Sequence, residues 1–338
     1  MSALKLLMIG GTGNISSAVT RQAVRAGMDV SILTRGHSDA RPAVEGVRQI
    51  VADVNDGHAF HTSLGDETFD CVVNWIAFTP GDVERDIHLF RHRTKQYIFI
   101  SSASAYQTPP SSFPTLESTP LRNPFWLYSR NKIAAEESLL HTYRSEAFPM
   151  TIVRPSHTYD ETMVPFDGCW TVMERMRQGR EVVVPGDGTS LWTMTHSDDF
   201  AIGFTGLIGR DQALGNSYHI TSEQPMTWNF IYQTMANAAG VDGRFVHVAS
   251  DAINATDPVW GAALLGDKSH SMVFDNSKIR ALVPEFTISV PFERGARDIV
   301  AWHDADEKRK LIDHDFDATM DRLVHAYRPR NLSQSQGE

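Results

Sequence analysis

The residues that most clearly indicate chemistry are Tyr128 and Lys132, in the segment Tyr-Ser-Arg-Asn-Lys. They stand four residues apart on a predicted helix, so the phenol and the ammonium share one face and reach the same site. A phenol has an ordinary pKa of about 10, and proton exchange at neutral pH requires a fall of about three units, or about 4 kcal/mol. One ammonium about 4 Å away supplies about that much where the effective dielectric constant is near 20. The pair therefore predicts a tyrosine that acts as an acid or base.

Two other features give this pair weight, because Tyr-x-x-x-Lys alone arises easily by chance in a chain with 8 tyrosines. The turn Gly10-Gly11-Thr12-Gly13 follows an N-terminal apolar run and precedes a predicted helix, which is the setting in which backbone N–H groups bind a pyrophosphate. Ser102 ends another apolar run, at the sheet edge where doubly wound folds bind ligands. The alternatives are a plain strand–helix turn, a serine bonded to backbone and an amphipathic helix surface.

The elements that must position these residues follow from alternating strand and helix patterns in the first half of the chain. Near-continuous apolar strands between helices predict an α/β fold, a Rossmann doubly wound parallel sheet, with a smaller C-terminal substrate-binding lobe. Asn123 is predicted to cap the helix of Tyr128, with Pro124 in its first turn. The predicted strands of this half are residues 4–9, 29–33, 47–51, 69–75, 96–101 and 150–153, and the helices are 16–26, 82–93 and 125–144.

The domain prediction assigns residues 1–155, with about 190–223, to a dinucleotide-binding domain. Residues 156–189 and 224–328 form the substrate-binding lobe, and 329–338 a disordered polar tail. Thr227 is the expected N-cap of one helix in the second half. The predicted elements there are helices 170–178, 227–239 and 292–303 and strands 181–184, 194–196 and 217–220.

Composition narrows the class of protein. The net charge of −10 disfavours binding to nucleic acid. Cys71 and Cys169 form no disulfide framework, so we expect a reducing, cytoplasmic location, with Cys71 buried. No stretch approaches the ~20 apolar residues of a membrane span. No motif indicates a metal site.

The end of the second predicted strand bears on the cofactor. An NAD-binding unit usually carries a carboxylate there, whereas this chain has Thr34 followed by Arg35. An arginine binds a 2′-phosphate that a carboxylate would repel, so NADP(H) is favoured over NAD(H). Arg35 alternatively lies exposed on a loop. Asp53 either accepts a hydrogen bond from the adenine amino group or is a turn residue.

These motifs together resemble the extended short-chain dehydrogenase/reductase family, in its NAD-dependent epimerase/dehydratase group. The resemblance implies that Ser102 polarises the substrate oxygen and Tyr128 exchanges its proton. Lys132 then holds the nicotinamide ribose, and Ser101 is the less favoured serine. The resemblance rests on residues 10–16, 100–106, 128–132, 154–155, 186–188, 196 and 199.

The chain departs from the family pattern where a substrate would bind. Ala103 and Ser104 stand in place of the Asp-Glu pair of dehydratases, so dehydration is disfavoured. Trp192 replaces an arginine that clamps a diphosphate in sugar-nucleotide members, and His157 replaces an asparagine. In the motif that begins with Arg154-Pro155, the family ends with Gly-Pro, whereas this chain has Asp160-Glu161. We therefore expect a small polyol, sugar or aromatic hydroxyl compound as substrate.

The predicted function is NAD(P)-dependent hydride transfer to or from a hydroxyl-bearing carbon, by a dehydrogenase, reductase or epimerase. The alternative is a non-catalytic NAD(P)-binding regulatory or scaffold protein of the same fold. A homodimer through the helix of Tyr128 is a further expectation, although Ile133, Leu139 and Leu140 would suit either a dimer seam or the chain's own sheet. The predicted cofactor contacts are Gly10, Thr12, Gly13, Asn14, Ile15, Thr34, Arg35, Asp53, Ala77, Tyr128, Lys132 and Pro155. The predicted substrate contacts are Ser104, His157 and Trp192.

Overall fold

The computed structural model describes residues 3–36 and 41–328. Its strands are β1 (Lys5–Ile9), β2 (Asp29–Thr34), β3 (Arg48–Val51), β4 (Cys71–Asn74), β5 (Tyr97–Ile100), β6 (Met150–Pro155), β7 (His157–Tyr159), β8 (Val182–Pro185), β9 (Leu191–His196), β10 (Ser217–Ile220), β11 (Pro225–Thr227) and β12 (Phe245–Val248). Its α-helices are α1 (Asn14–Arg25), α2 (Gly57–Leu64), α3 (Pro80–Phe90), α4 (Leu127–Glu146), α5 (Trp170–Arg177), α6 (Ser197–Thr205), α7 (Trp228–Ala238), α8 (Ser250–Thr256), α9 (Pro258–Ala263), α10 (Ser277–Leu282), α11 (Phe292–Asp304) and α12 (His314–Tyr327).

Seven strands form one parallel sheet, in the order β10-β6-β5-β4-β1-β2-β3. Its central strands are buried on both faces, which explains their nearly continuous apolar sequences. The chain runs from β1 outward to β3 and then returns to the other side of β1 at β4. The strand order therefore reverses between β1 and β4, and such a reversal leaves a crevice at the carboxyl ends of the strands. The predicted doubly wound Rossmann fold is confirmed.

Two hydrophobic clusters cover the two faces of this sheet. One includes Val19 of α1 and Phe204 of α6, and the other includes Phe60 of α2 and Val83 of α3. Cys71, at the start of β4, is fully buried as predicted, and burial raises the pKa of its thiol.

Helix α4 packs against its own sheet through the apolar residues considered for a dimer seam. Leu139 is fully buried in the second cluster and Leu140 packs against that cluster. These two leucines therefore belong to the core of the chain itself.

The chain divides into two compact units. Unit 1 contains residues 1–160, 193–224 and 273–290, and unit 2 contains residues 161–192, 225–272 and 291–338. The sequence pattern predicts residues 273–290 in the second lobe, whereas the structure places them in unit 1. There the Thr115 amide donates to Val273 O over 2.7 Å, and Asn276 Nδ2 donates to Thr221 O over 2.9 Å. Such a distant return of the chain leaves no periodic signal in the sequence.

Unit 2 contains a two-stranded parallel sheet of β8 and β12 and the helices α5, α7, α8, α9, α11 and α12. The sequence predicted α5, β8, α7 and α11 there, with Thr227 as the N-cap of α7. The Thr227 hydroxyl accepts from Phe230 N over 3.1 Å. The elements α8, α9, β12 and α12 were not predicted from the sequence. The predicted tail, 329–338, lies outside the described residues. Throughout residues 3–36 and 41–328, none of the helices has the length and apolar character to cross a membrane.

Candidate cofactor and catalytic site

The glycine turn joins β1 to α1 with a tight backbone. Gly10 has φ +84°, and a Cβ there would stand 2.6 Å from Ile76 Cγ2, so both conformation and space require glycine. Ser16, three residues after Gly13, is buried and has its hydroxyl inside the turn. It accepts from Gly13 N over 2.7 Å and donates to Gly10 O over 3.2 Å. The serine therefore braces the turn that opens α1.

A cavity of about 1060 Å³ lies over this turn, at the carboxyl ends of the first four strands. Its volume and position suit an extended ligand bound at the strand-order reversal. Its floor is the glycine turn and the start of α1, which offers backbone N–H groups and the positive end of the helix dipole. The predicted cofactor residues that line it are Gly10, Thr12, Gly13, Asn14, Ile15, Thr34, Arg35 and Asp53.

The cavity extends to the ends of β2 and β3. Thr34 and Arg35 line it there, and Thr34 Oγ1 accepts from Gly36 N over 3.2 Å. Asp53 also faces the cavity, and its carboxylate accepts from the backbone and side-chain amides of Asn55 over 2.9 and 3.1 Å. Asp53 is thus a turn residue whose position also allows contact with a ligand.

Arg41 lines the same cavity and was not predicted from the sequence. It pairs with Asp160, Nε to Oδ2 over 2.8 Å and Nη2 to Oδ1 over 3.1 Å, and Nη1 donates to Thr12 O over 3.4 Å. The one available signal was Asp160 itself, which stands where the family has glycine. A pairing across 119 positions is not visible in sequence alone.

Lys132 lies one turn into α4 and is only 1% exposed. Its Nζ donates to Ala77 O and Ile100 O, each over 2.7 Å, which joins the β4–α3 connection to the end of β5. Ile76, Phe78 and Ile100 line the cavity, so this ammonium lies directly behind its wall. Burial lowers the pKa of Lys132 to about 7, and the carboxylates of Glu136 and Asp82 only partly oppose this shift.

Tyr128 lies half-buried at the start of α4. Its ring is 5.7 Å from the Lys132 Nζ and 4.7 Å from the ring of Trp126, with Phe78 at 6.3 Å. The phenol and the ammonium therefore share one face of α4, as their spacing predicts.

Ser102 follows β5, and its hydroxyl bonds to that of Ser104, which also bonds to Ser129. Its Oγ lies 2.9 Å from Ser104 Oγ, and Ser129 Oγ donates to Ser104 Oγ over 2.7 Å. Ser104, predicted as a substrate contact, is 2% exposed and in this structure supports Ser102 instead. Ser101 is also 2% exposed, and its Oγ has no hydrogen-bond partner among the described residues. Of the two adjacent serines, Ser102 is the more accessible.

The prediction that Asn123 caps α4 is wrong. The N-cap is Trp126, without a side-chain hydrogen bond, and α4 begins at Leu127. Asn123 Oδ1 instead accepts from Phe125 N and Trp126 N, while its Nδ2 donates to Ser104 O over 2.9 Å. Pro124 accordingly precedes the helix. The side chain organises the turn before α4 and ties it to the segment of Ser102.

The remaining predicted site residues have different surroundings. Pro155 ends β6 and pairs with Ile220 of β10, and Ala77 is fully buried, with its carbonyl bonded to Lys132. His157 lies half-buried on β7, in unit 1. Trp192 lies in unit 2, is 1% exposed and stacks on Trp228 with centroids 6.1 Å apart, so the structure gives it the surroundings of a packing residue.

A second buried cation lies beside the middle of α4. Arg154 of β6 pairs with Glu136, Nη2 to Oε2 over 2.6 Å and Nε to Oε1 over 2.9 Å, with side chains 5% and 0% exposed. Burial alone would lower the pKa of Arg154, but the Glu136 carboxylate outweighs it and raises that pKa. This pair also places the guanidinium 4.8 Å from the ring of Tyr106.

The site thus combines a cradle for a pyrophosphate-containing ligand with a phenol, an ammonium and a hydroxyl at one sheet edge. The close approach of Gly10 to Ile76 and the helix N-terminus beneath the cavity fit a dinucleotide. This arrangement of fold and site defines the class of dinucleotide-binding α/β enzymes.

Comparison with known proteins gives the family. The model of the NAD dependent epimerase/dehydratase family matches residues 6–220, and the chain belongs to that family of NAD-dependent epimerases and reductases. It is 26% identical over 289 residues to a 2′-dehydrokanamycin reductase of Streptomyces kanamyceticus, covering 84% of this chain and 80% of that protein. It is 27% identical over 252 residues to the chloroplast stem-loop binding protein of 41 kDa b of Arabidopsis thaliana, covering 71% of this chain and 64% of the relative.

Solved structures share the fold. An epimerase from Methanothermobacter thermautotrophicus superposes with a TM-score of 0.76 at 15% identity, covering 91% of this chain and 94% of its own. A UDP-glucuronic acid 4-epimerase from Bacillus cereus, in complex with UDP-glucuronic acid and NAD, gives a TM-score of 0.72 at 16% identity, covering 88% and 99%.

Proposed function

We propose that this protein is an NAD(P)-dependent oxidoreductase or epimerase that acts on a hydroxyl-bearing or keto carbon of a small, sugar-like substrate. The observation that carries the proposal is the buried ammonium of Lys132, which lies behind the cavity wall and shares a helix face with Tyr128. A buried lysine whose pKa is displaced to about 7 and that stands in a cleft next to a phenol is typical of an active site.

The nicotinamide ring would supply or accept a hydride at the substrate carbon. In the reducing direction the Tyr128 hydroxyl gives its proton to the carbonyl oxygen as that oxygen gains the electron pair of the C=O bond. In the oxidising direction the Tyr128 phenolate takes the proton from the alcohol. The positive charge of Lys132 stabilises the phenolate, and Ser102 donates a hydrogen bond to the substrate oxygen in both directions.

Arg35 supports a preference for NADP(H) in this proposal. It lines the cavity beside Thr34, where an NAD-specific site would present a carboxylate. An arginine there offers a charge-assisted hydrogen bond to a 2′-phosphate.

The proposed substrate class rests on three positions at which this chain lacks the charged residues found in other members of the family. Ala103 and Ser104 are not acids, so water elimination lacks its catalysts, and we propose that the protein is not a dehydratase. Trp192 does not supply the cation that a sugar nucleotide would require. The name of the Streptomyces relative describes reduction of a dehydro compound, which supports a carbonyl as the reacting group here.

The first experiment titrates the purified protein with NADPH and NADH, followed by nicotinamide fluorescence, with Gly13→Asp and Tyr128→Phe alongside. We expect Gly13→Asp to abolish binding, because it sets a carboxylate where the pyrophosphate lies. Tyr128→Phe should keep binding but lose about a thousandfold in rate on the keto-sugar or polyol that a screen identifies. Ser101→Ala serves as a matched control for Ser102→Ala, which should lose about a hundredfold.

The outcomes separate the two candidate functions. If neither nicotinamide binds, the oxidoreductase proposal fails. If binding is tight and a broad screen of keto-sugars, polyols and aromatic ketones gives no turnover, a non-catalytic dinucleotide-binding role is favoured, in keeping with the stem-loop binding relative.

A further inference from the structure

The ion pair of Arg41 and Asp160 is not explained by the proposed chemistry. Asp160 stands where the family motif has glycine, and it follows β7 at the end of the first segment of unit 1. Arg41 belongs to the connection between β2 and β3. The two side chains are 14% and 6% exposed and meet in a bidentate pair beside the glycine turn.

The hydrogen bonds of the Arg41 guanidinium fix its orientation in the cavity. Its Nε and Nη2 donate to the Asp160 carboxylate over 2.8 and 3.1 Å, so that edge of the fork is fixed. Its Nη1 reaches toward the turn, 3.4 Å from Thr12 O, and both residues line the cavity. A neighbouring hydrogen bond, from Asn14 Nδ2 to Thr158 O over 3.1 Å, holds the β7 segment against the start of α1.

The position of Arg41 distinguishes it from Arg35. Arg35 follows the end of β2, the position of the adenosine ribose in a Rossmann unit. Arg41 adjoins Thr12, at the glycine turn where the pyrophosphate binds. A glycine turn provides only N–H dipoles there, and an arginine adds charged N–H donors, although the Asp160 carboxylate offsets part of its charge.

We propose that Arg41 is a cofactor-binding residue that pairs with the pyrophosphate of the dinucleotide, and that Asp160 is a positioning residue that aims it. The inference rests on the proposed function, because it requires a dinucleotide in this cavity. Arg41 strengthens binding of NADH and NADPH alike, since both carry the same pyrophosphate. It also slows release of the nucleotide, which an epimerase needs in order to keep one cofactor through both half-reactions.

The test measures dissociation constants and stopped-flow release rates of NADPH and NADH by nicotinamide fluorescence. Arg41→Ala is expected to weaken both nucleotides by about tenfold and to speed the release of both by a similar factor. Arg35→Ala is expected to weaken NADPH alone. Asp160→Asn retains the Arg41 charge but loses its orientation, so release of both nucleotides should be faster than from the unsubstituted chain and slower than from Arg41→Ala.

Arg48→Ala is the matched control. Arg48 forms a bidentate pair with Glu67 that is shorter than that of Arg41 with Asp160, over 2.7 Å on each side, and both side chains are exposed beside β3. Its removal should leave both nucleotides unaffected. Thermal melting of each variant identifies one that fails to fold, and Arg41→Lys then replaces Arg41→Ala, with a smaller expected loss.

The possible failures are separable. If the unsubstituted chain binds neither nucleotide, the proposed function is wrong. If it binds them and Arg41→Ala releases both at the unsubstituted rate, the assignment of Arg41 is overturned. A loss confined to NADPH in Arg41→Ala also overturns the pyrophosphate contact, because it assigns Arg41 to the 2′-phosphate.

Discussion

Two buried cations of unit 1, Lys132 and Arg154, are held in different ways. The Lys132 ammonium donates to the backbone carbonyls of Ala77 and Ile100, and burial lowers its pKa to about 7. The Arg154 guanidinium forms a bidentate pair with Glu136, which raises its pKa. The carboxylate of Glu136 keeps the Arg154 guanidinium protonated. The Lys132 amine is bonded only to carbonyl dipoles, so it loses its proton near neutral pH. The comparison distinguishes a group suited to chemistry from one suited to structure.

The largest effect is expected from Lys132→Met. If the Lys132 charge stabilises the Tyr128 phenolate, its loss lowers kcat/KM by about a thousandfold, the equivalent of three pKa units. Steady-state kinetics on the substrate found by screening would measure this. Lys278→Met is the control, since Lys278 is a partly buried lysine of unit 1, bonded to Asn216 Oδ1 over 3.0 Å. Equal values of kcat/KM for the two variants would show that Lys132 has no catalytic role.

Next in size is the destabilisation by Glu136→Gln. It leaves the Arg154 guanidinium buried without its carboxylate, which costs about 3–5 kcal/mol in the free energy of unfolding. Urea denaturation would measure it, with the exposed neighbour Glu137→Gln as control. A loss below about 1 kcal/mol, the worth of a surface pair, would show that the Arg154 pair is not structural.

The third effect is the contribution of Lys132 to the dependence of stability on pH. Below pH 7 the amine is protonated in the folded and the unfolded chain. Between about pH 7 and its ordinary pKa of 10.5 only the unfolded chain keeps the proton. The free energy of unfolding therefore rises with pH by about 1.4 kcal/mol per unit in that window, relative to a chain without the group.

Urea titrations of the unsubstituted chain and of Lys132→Met at pH 7, 8 and 9 would show this slope as a difference that grows with pH. Arg154 is protonated in both states throughout the range and adds no slope. A constant difference between the two chains would mean that Lys132 stays charged in the fold.

The parts of the site that the sequence predicted depend on local spacing. Gly10 and Gly13 form a turn within a few residues, and Tyr128 and Lys132 share a helix face because of the helix period. The parts that it missed depend on pairs from distant segments. Asp160 meets Arg41, and the Val273 region returns to unit 1, through contacts that no local pattern encodes.

Asn123 and Ser104 show that a side chain of the expected type and position can have partners other than the expected ones. Asn123 has the residue type of a helix cap, but its amide binds Ser104 O and the turn before α4. Ser104 is close enough to Ser102 for a substrate role, yet it is buried and bonded to Ser129. Residue type and spacing place such side chains near a site, whereas their partners are set by packing.

The interleaving of the two units has a consequence for synthesis of the chain. Unit 1 includes residues 273–290, so the dinucleotide fold is not complete when residue 224 has left the ribosome. Phe286 still has to fill the space beside Gly203, where a Cβ would approach its ring to 2.9 Å, and Val283 the space beside Gly206. One face of α6 therefore lacks these side-chain contacts while about 50 residues of unit 2 are translated. At ~5–20 residues per second, this takes several seconds.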